Sequence, residues 1–380
     1  MQKIKIITFF SLFIIFVLFL FFQKSSPSPQ NLSITPEYQR TLQEMVLTIP
    51  QRLTSEKETL TLLNNSYRNL LLALPDYTHL VIFTHQANKE LLFKFLKSLP
   101  IKNRVTYHFS NSTSLELWAQ DYFEPAIQDN STQLLLLPLT TKKVPSFNRM
   151  RKRNSVVKTL DNHLTVPFFF EGGNIMAAEN ELGHFVFIDF ETIKKTRDLY
   201  KTFGKNLSIS QVGNLIQGFF LDLKVVVLGD TTREGNFVHL DQSVLFLDNN
   251  TVVVYSVNDK PQSKASLQHK LYKKQLTSLG FKVKTLPISS IGIESSTSSL
   301  NAIVFKDSET QEKKVIFPVY PGQLNGEDEK KSPLLKDDLK GEALLAFDLF
   351  LELGYLPIPV FDGSTFKQKG SLHCISNVLR

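Results

Sequence analysis

The sequence predicts one mixed α/β domain built of repeated ββαβ-like units. Three observations carry this. From Asp76 onward, apolar strand-like runs alternate with amphipathic helical stretches. A helix that ends in Leu-Gly and runs into a Pro-containing strand occurs twice, as SLGFKVKTLPI and ELGYLPIPV. Hairpin-like pairs lie between these units. Gly suits the left-handed position that follows a helix, so each Leu-Gly junction reads as a helix stop in a weak internal repeat.

In chain order, Glu37 to Leu74 reads as mainly helical, broken at Pro50. Tyr77 to Thr84 is strand-like. Asn88 to Leu99 is helical, with Leu92, Phe95, Leu96 and Leu99 on one face. Arg104 to Phe109 returns as a strand. Asn174 to Ala178 with His184 to Ile188, and Ser243 to Leu247 with Thr251 to Ser256, read as hairpins. The second is joined by Asp248-Asn249-Asn250, a good turn. Lys264 to Leu279 is a helix leading into the strand Phe281 to Leu286, and Gly341 to Leu353 leads likewise into Tyr355 to Val360. Met150-Arg151-Lys152-Arg153 reads as a solvated loop, and Pro318 to Lys336 as an exposed one.

Composition narrows the class. With 380 residues, 42% hydrophobic and 21% charged, the chain is ordinary globular material, neither low-complexity nor collagen-like. A single cysteine excludes a disulfide framework and a Cys-based zinc site. The net charge of +7 is mild, and Lys3, Lys5 and Lys24 contribute part of it from the N-terminal flank, so nothing argues for nucleic acid.

Ile6 to Phe22 is apolar except for Thr8 and Ser11, and follows two lysines. As a helix it would span about 25 Å, slightly short of a hydrocarbon core of ~30 Å. No Ala-x-Ala cleavage pattern follows. Residues 1–25 therefore read as a signal anchor or a removed signal peptide, which would place the chain outside the cytoplasm, membrane-anchored or secreted. Residues 26–75 read as a linker and N-terminal helical segment, and residues 76–380 as the catalytic domain.

Five segments hold the chemistry: Trp118-Ala119-Gln120-Asp121-Tyr122-Phe123-Glu124, Glu171-Gly172-Gly173-Asn174, His239-Leu240-Asp241, Asn301, and Leu372-His373-Cys374. Singly, each has an ordinary structural reading: a packed Trp with a capping carboxylate, a turn, a strand-borne polar pair, a buried small thiol. Together they comprise a thiol, an imidazole, two separated Asp and a Glu. A thiolate is a strong nucleophile, and a His can protonate a leaving amine and then activate water. An ester or amide has no use for two anions beside the nucleophile. A guanidinium, held by forked carboxylate contacts, does.

In this order the segments resemble the guanidine-modifying (pentein) superfamily, and within it most closely the peptidylarginine deiminases. Leu372-His373-Cys374-Ile375-Ser376-Asn377-Val378 is similar to the His-Cys-x-Thr-Asn-Val ending of that family. Trp118-x-Gln120-Asp121 resembles its animal-type Trp-x-Gln-Asp motif. Glu171-Gly172-Gly173-Asn174 is more similar to agmatine and arginine deiminases. The motifs span Trp118 to Cys374. Departures are Val238, where a Gly is usual, and Phe123-Glu124, where the bacterial-type enzymes carry Gly-Pro.

The resemblance implies a five-bladed α/β propeller of ββαβ modules. It implies Cys374 as the nucleophile that forms a covalent thiouronium, and His239 as acid and then base. Asp121 and Asp241 would bind the guanidinium, Glu171 would orient His239, and Asn301 would lie near the centre. Gln120 and Glu124 match calcium ligands of the animal enzymes, so calcium is possible; no other cofactor is expected. The expected substrates are arginine residues in proteins or peptides, with small guanidines such as agmatine as the alternative. An amidinotransferase, a catalytically silent binding protein and a protease-like amidase are further options.

Overall fold

The structure, a computed structural model, describes residues 32–50, 56–111, 115–129, 132–160, 162–230, 239–257, 262–289, 297–326 and 333–379. It contains five separate small sheets. Each is built on one plan. An antiparallel strand pair is followed by a helical connection, then by a strand parallel to the second. In the first sheet Glu124–Gln128 pairs antiparallel with Thr132–Leu137, the helix Pro145–Val157 follows, and His163–Thr165 closes parallel. The plan recurs with Ile175–Asn180, Gly183–Asp189 and Lys224–Leu228. It recurs again with Val244–Phe246, Thr251–Val257 and Lys282–Ile288, and with Ile303–Lys306, Lys313–Val319 and Leu356–Phe361.

The fifth sheet joins the two ends of the described chain. Ser376–Val378 pairs antiparallel with Glu44–Ile49, which lies parallel to His79–His85. Val105–Ser110 then adds a further parallel strand. Glu44–Ile49, from the segment that precedes residue 76, thus shares a sheet with His79–His85, which follows it. Glu44–Ile49 was expected to be helical and is a strand. Met45 to Leu47 and Ile49 are all buried, because a central strand is covered on both faces. Such a run loses the alternation that marks a half-buried strand, and periodicity alone cannot separate it from a helix.

The helices lay their apolar stripes on these sheets. On Lys264–Ser278, Tyr272 and Leu276 are fully buried under Phe281 and Leu286, and Ser263 caps the start by accepting from Ser266 N. The expected basic loop Met150–Arg153 is part of the helix Pro145–Val157. Its Arg153 is buried, pairs with Glu116 and lies over the Tyr122 ring at 5.6 Å, so this cation supports the core beside Asp121 rather than meeting solvent.

The membrane-anchored, extracytoplasmic location is corrected. Among the described residues no helix is long and apolar enough to cross a membrane. The apolar run Ile6 to Phe22, which suggested it, lies outside those residues.

Candidate active site

Five tight turns carry the predicted residues, and each stands just before the first strand of a module. Three are 3₁₀ turns: Gln120–Tyr122, Gly172–Asn174 and Leu240–Gln242. Ser298 to Asn301 and Ser371 to Ile375 form the other two, each closed by a backbone hydrogen bond. Equivalent places in five modules thus deliver Asp121, Glu171, His239 with Asp241, Asn301 and Cys374.

The turns touch in sequence and return to the start. Gly172 lies so close to the Gln120 carbonyl oxygen that a Cβ there would sit 1.8 Å from it. Asn174 Oδ1 accepts from Leu240 N at 3.1 Å. Ser298 Oγ donates to Gln242 O at 2.7 Å. Asn301 Oδ1 accepts from Cys374 N at 3.3 Å, and Gln120 N donates to Cys374 O at 3.2 Å. The approach to the last turn is fixed by Asp362, a buried carboxylate that accepts from Ser66 Oγ and Ser371 Oγ, each at 2.6 Å. Ser66 lies in the π-helical stretch Leu63–Tyr67, an interruption of the kind that often serves a nearby site.

Cys374 Sγ lies 3.2 Å from Asn301 Nδ2 and 3.4 Å from Asp241 Oδ2. Burial, then the Asp241 and Asp121 charges, push its thiol well above the ordinary range. Asp241 Oδ2 also accepts from Asn301 Nδ2 at 3.1 Å and His373 Nδ1 at 2.8 Å, while its Oδ1 is buried without a partner. Cys374, Asp121 and Asp241 are 5%, 6% and 2% exposed, so a reacting group must come to them.

His239 lies between two carboxylates: Nδ1 is 3.6 Å from Asp121 Oδ1 and Nε2 is 3.5 Å from Glu171 Oε2. Burial opposes its charge, but Asp121 and Glu171 outweigh it and raise the imidazole to about 10. Burial likewise raises Asp121, to about 7, against the pull of His239. Glu171 is driven the other way: burial disfavours its charge, but His239 and the Lys195 ammonium, 2.7 Å from Oε2, hold it below the ordinary range. His239 was read as opening a strand, sharing a face with Asp241. It instead precedes the 3₁₀ turn Leu240–Gln242, and turn geometry, not a two-residue strand period, brings the pair together.

Gly173 explains the second glycine of its motif. A Cβ there would lie 2.7 Å from His239 Nδ1 and 3.0 Å from Asp241 Oδ1, so the imidazole and the free carboxylate oxygen flank one small volume. Gly173→Ala should displace both and lower kcat by about a hundredfold with the melting temperature nearly unchanged. An unaltered kcat would show that the gap is not used.

The expected calcium position does not fit a metal. Glu124 Oε1 accepts from Arg40 Nη2 at 2.9 Å, so a protein cation already faces this buried carboxylate. Among the described residues no group of three or more His, Cys, Asp or Glu could hold a metal ion. Calcium requires six to eight oxygens.

Sequence reasoning missed Lys195, Glu37 and the role of His373. Lys195 has no motif around it, and only the helix Phe190–Thr202 brings it to Glu171. Lys195→Met removes a cation that favours ionised Glu171, whose pKa then rises. Lys195 also favours ionised Asp121, the higher-titrating of the two carboxylates at about 7, so the acid limb of kcat/KM should move to higher pH. An unmoved limb would mean that neither carboxylate depends on Lys195.

Fold and site together form a ring of five module turns around a buried thiol flanked by carboxylates. No protein-family profile and no curated protein matches the chain by sequence. Solved structures do match in fold. A C. jejuni agmatine deiminase variant with substrate bound is 16% identical, with TM-score 0.63, covering 91% of this chain and 96% of that one. A Porphyromonas gingivalis protein assigned as an arginine deiminase is 16% identical, with TM-score 0.63 and coverage of 91% and 98%. The agmatine deiminase of Enterococcus faecalis is 15% identical, with TM-score 0.61 and coverage of 93% and 97%. The chain has the fold of these deiminases, in agreement with the resemblance carried by its motifs.

Proposed function

We propose that this protein is a hydrolase that deiminates the guanidinium group of a small molecule, agmatine being the first candidate. The observation that carries this is a buried thiol beside two separated carboxylates, with Asp241 Oδ1 left unpartnered. An anionic pair next to a nucleophile repels anionic intermediates and attracts a planar cation. The small-molecule reading replaces the expected preference for protein arginine. That preference leaned on an extracytoplasmic address, which is withdrawn, and more of the matched structures are named for agmatine than for arginine or for peptidyl-arginine. We read the five modules as blades of a closed propeller, a reading supported by the ring of turn contacts.

The steps follow from the positions. The substrate cation enters between Asp121 and Asp241 and offsets the charges that raise the thiol. Cys374 releases its proton to solvent as the cation binds, and its sulfur attacks the guanidinium carbon. His239, already an imidazolium, protonates the departing ammonia, leaving a thiouronium on sulfur. The neutral imidazole then takes a proton from water, hydroxide adds to the same carbon, and the C–S bond breaks to release a ureido product. Glu171 keeps His239 oriented and raises its basicity through charge.

The test offers agmatine, free arginine and an internal-arginine peptide separately and measures ammonia and ureido product. Agmatine should exceed the peptide by at least about tenfold in kcat/KM, about 1.4 kcal/mol of transition-state preference. A peptide preference of that size would restore the protein-arginine reading. No product from any guanidine would end the deiminase reading.

A further inference from the structure

His373 precedes the nucleophile and shares with it one oxygen of Asp241. Its Nδ1 lies 2.8 Å from Asp241 Oδ2 and its Nε2 lies 2.9 Å from Glu37 Oε2, with the ring side chain 7% exposed. A carboxylate only accepts, so an imidazole that bonds carboxylates through both nitrogens must donate from both and carry a positive charge. Glu37 comes from the turn Glu37–Gln39, far from every motif. The next residue but two, Arg40, anchors this turn by donating to Glu124, Val378 O and Thr35 O. Glu37 Oε1 is buried with no partner, so no second donor competes with His373 for this carboxylate.

We propose that Glu37 is a positioning residue, acting through His373 to bind one oxygen of Asp241, leave the other free for substrate, and hold a positive charge behind the Cys374 thiol. This rests on the deiminase reading for its kinetic consequence but not for its charge arrangement. Asp241 Oδ2 takes three donors, from Asn301, His373 and Cys374, and Oδ1 takes none. The carboxylate is thereby pinned in one orientation, with Oδ1 facing the gap beside Gly173 and His239. The charge on His373 also matters to sulfur, since a cation near a thiol favours the thiolate. Burial works against that charge, and Glu37 and Asp241 overcome it, raising the ring to about 10. Glu124, itself paired with Arg40, also interacts with the His373 charge.

The chain's single cysteine gives a readout that needs no substrate. The rate at which a small neutral alkylating reagent modifies Cys374 follows its thiolate fraction, and can be measured on the full chain from pH 6 to 10. In Glu37→Gln the ring keeps a hydrogen-bond acceptor but loses a charge partner. Its pKa falls, and the thiol pKa rises with the lost cation. In the pH window where the variant's His373 is neutral and the native ring is still charged, below about 10, alkylation should slow by about tenfold, the result of about one unit of thiol shift. The alkaline limb of kcat/KM should move to lower pH, because His373 now loses its proton earlier. In the native chain, an NMR titration of His373 should show no deprotonation below about pH 9.

An alkylation profile in Glu37→Gln that superimposes on the native one would overturn the proposal, as would a native His373 that titrates near its ordinary value. Should Glu37→Gln fail to fold, the native titration alone decides. Absence of deiminase activity would end the functional reading while leaving both charge measurements to be made.

Discussion

Cys374→Ser should abolish turnover, by about four orders of magnitude or more, and leave the fold and substrate binding intact. The hydroxyl is close in shape to the thiol and can keep the contacts with Asn301 Nδ2 and Asp241 Oδ2, 3.2 and 3.4 Å from sulfur. What it cannot do is ionise there. Burial and the Asp241 and Asp121 charges already lift the thiol, and a hydroxyl begins far higher. Product formation under saturating agmatine, with intact-mass detection of a covalent adduct in the native chain alone, reads this directly. Residual activity within about a hundredfold of native would place the nucleophile elsewhere.

Asp241→Asn should lower kcat/KM by about a thousandfold. One oxygen of Asp241 receives three donors and the other none, so on the proposed reading the free oxygen is the one that meets the substrate. An amide has one acceptor oxygen. If that oxygen satisfies Asn301 and His373, an N–H₂ group faces the guanidinium and donor meets donor. If it is turned to the substrate, the amide instead faces Asn301 Nδ2 and His373 Nδ1. Breaking a buried charged pair costs about 3–5 kcal/mol, and each 1.36 kcal/mol is tenfold in rate. A variant within about tenfold of native efficiency would make Asp241 part of the scaffold. The Asp121→Asn change should act in the same direction through the opposite side of the cation.

The repeated plan was legible because amphipathic helices and Leu-Gly stops are local signals. The hairpin of Val244–Phe246 with Thr251–Val257, the helix Lys264–Ser278 and the strand Leu356–Phe361 each fall where the pattern put them, within a residue or two. Glu44–Ile49 was not legible. Both its faces are covered, and its partner Ser376–Val378 lies more than 300 residues away in the chain. The site residues were legible as chemical types in short motifs, yet the residues behind them were not. Lys195 and Glu37 act by position alone. Gly173 shows an intermediate case: a glycine pair suggests a turn, and only coordinates reveal that the missing side chain is the space shared by His239 and Asp241.

The five turns that hand contacts to one another resemble a closed survey traverse, in which every leg constrains the sum of the others. An error in one leg cannot be left behind; it must be shared among all. A length change inside a turn would therefore disturb residues in the other four, whereas one in an outer loop or helix is absorbed before it reaches the circuit. A redesign for a different substrate should therefore begin outside the circuit, with the turns left untouched.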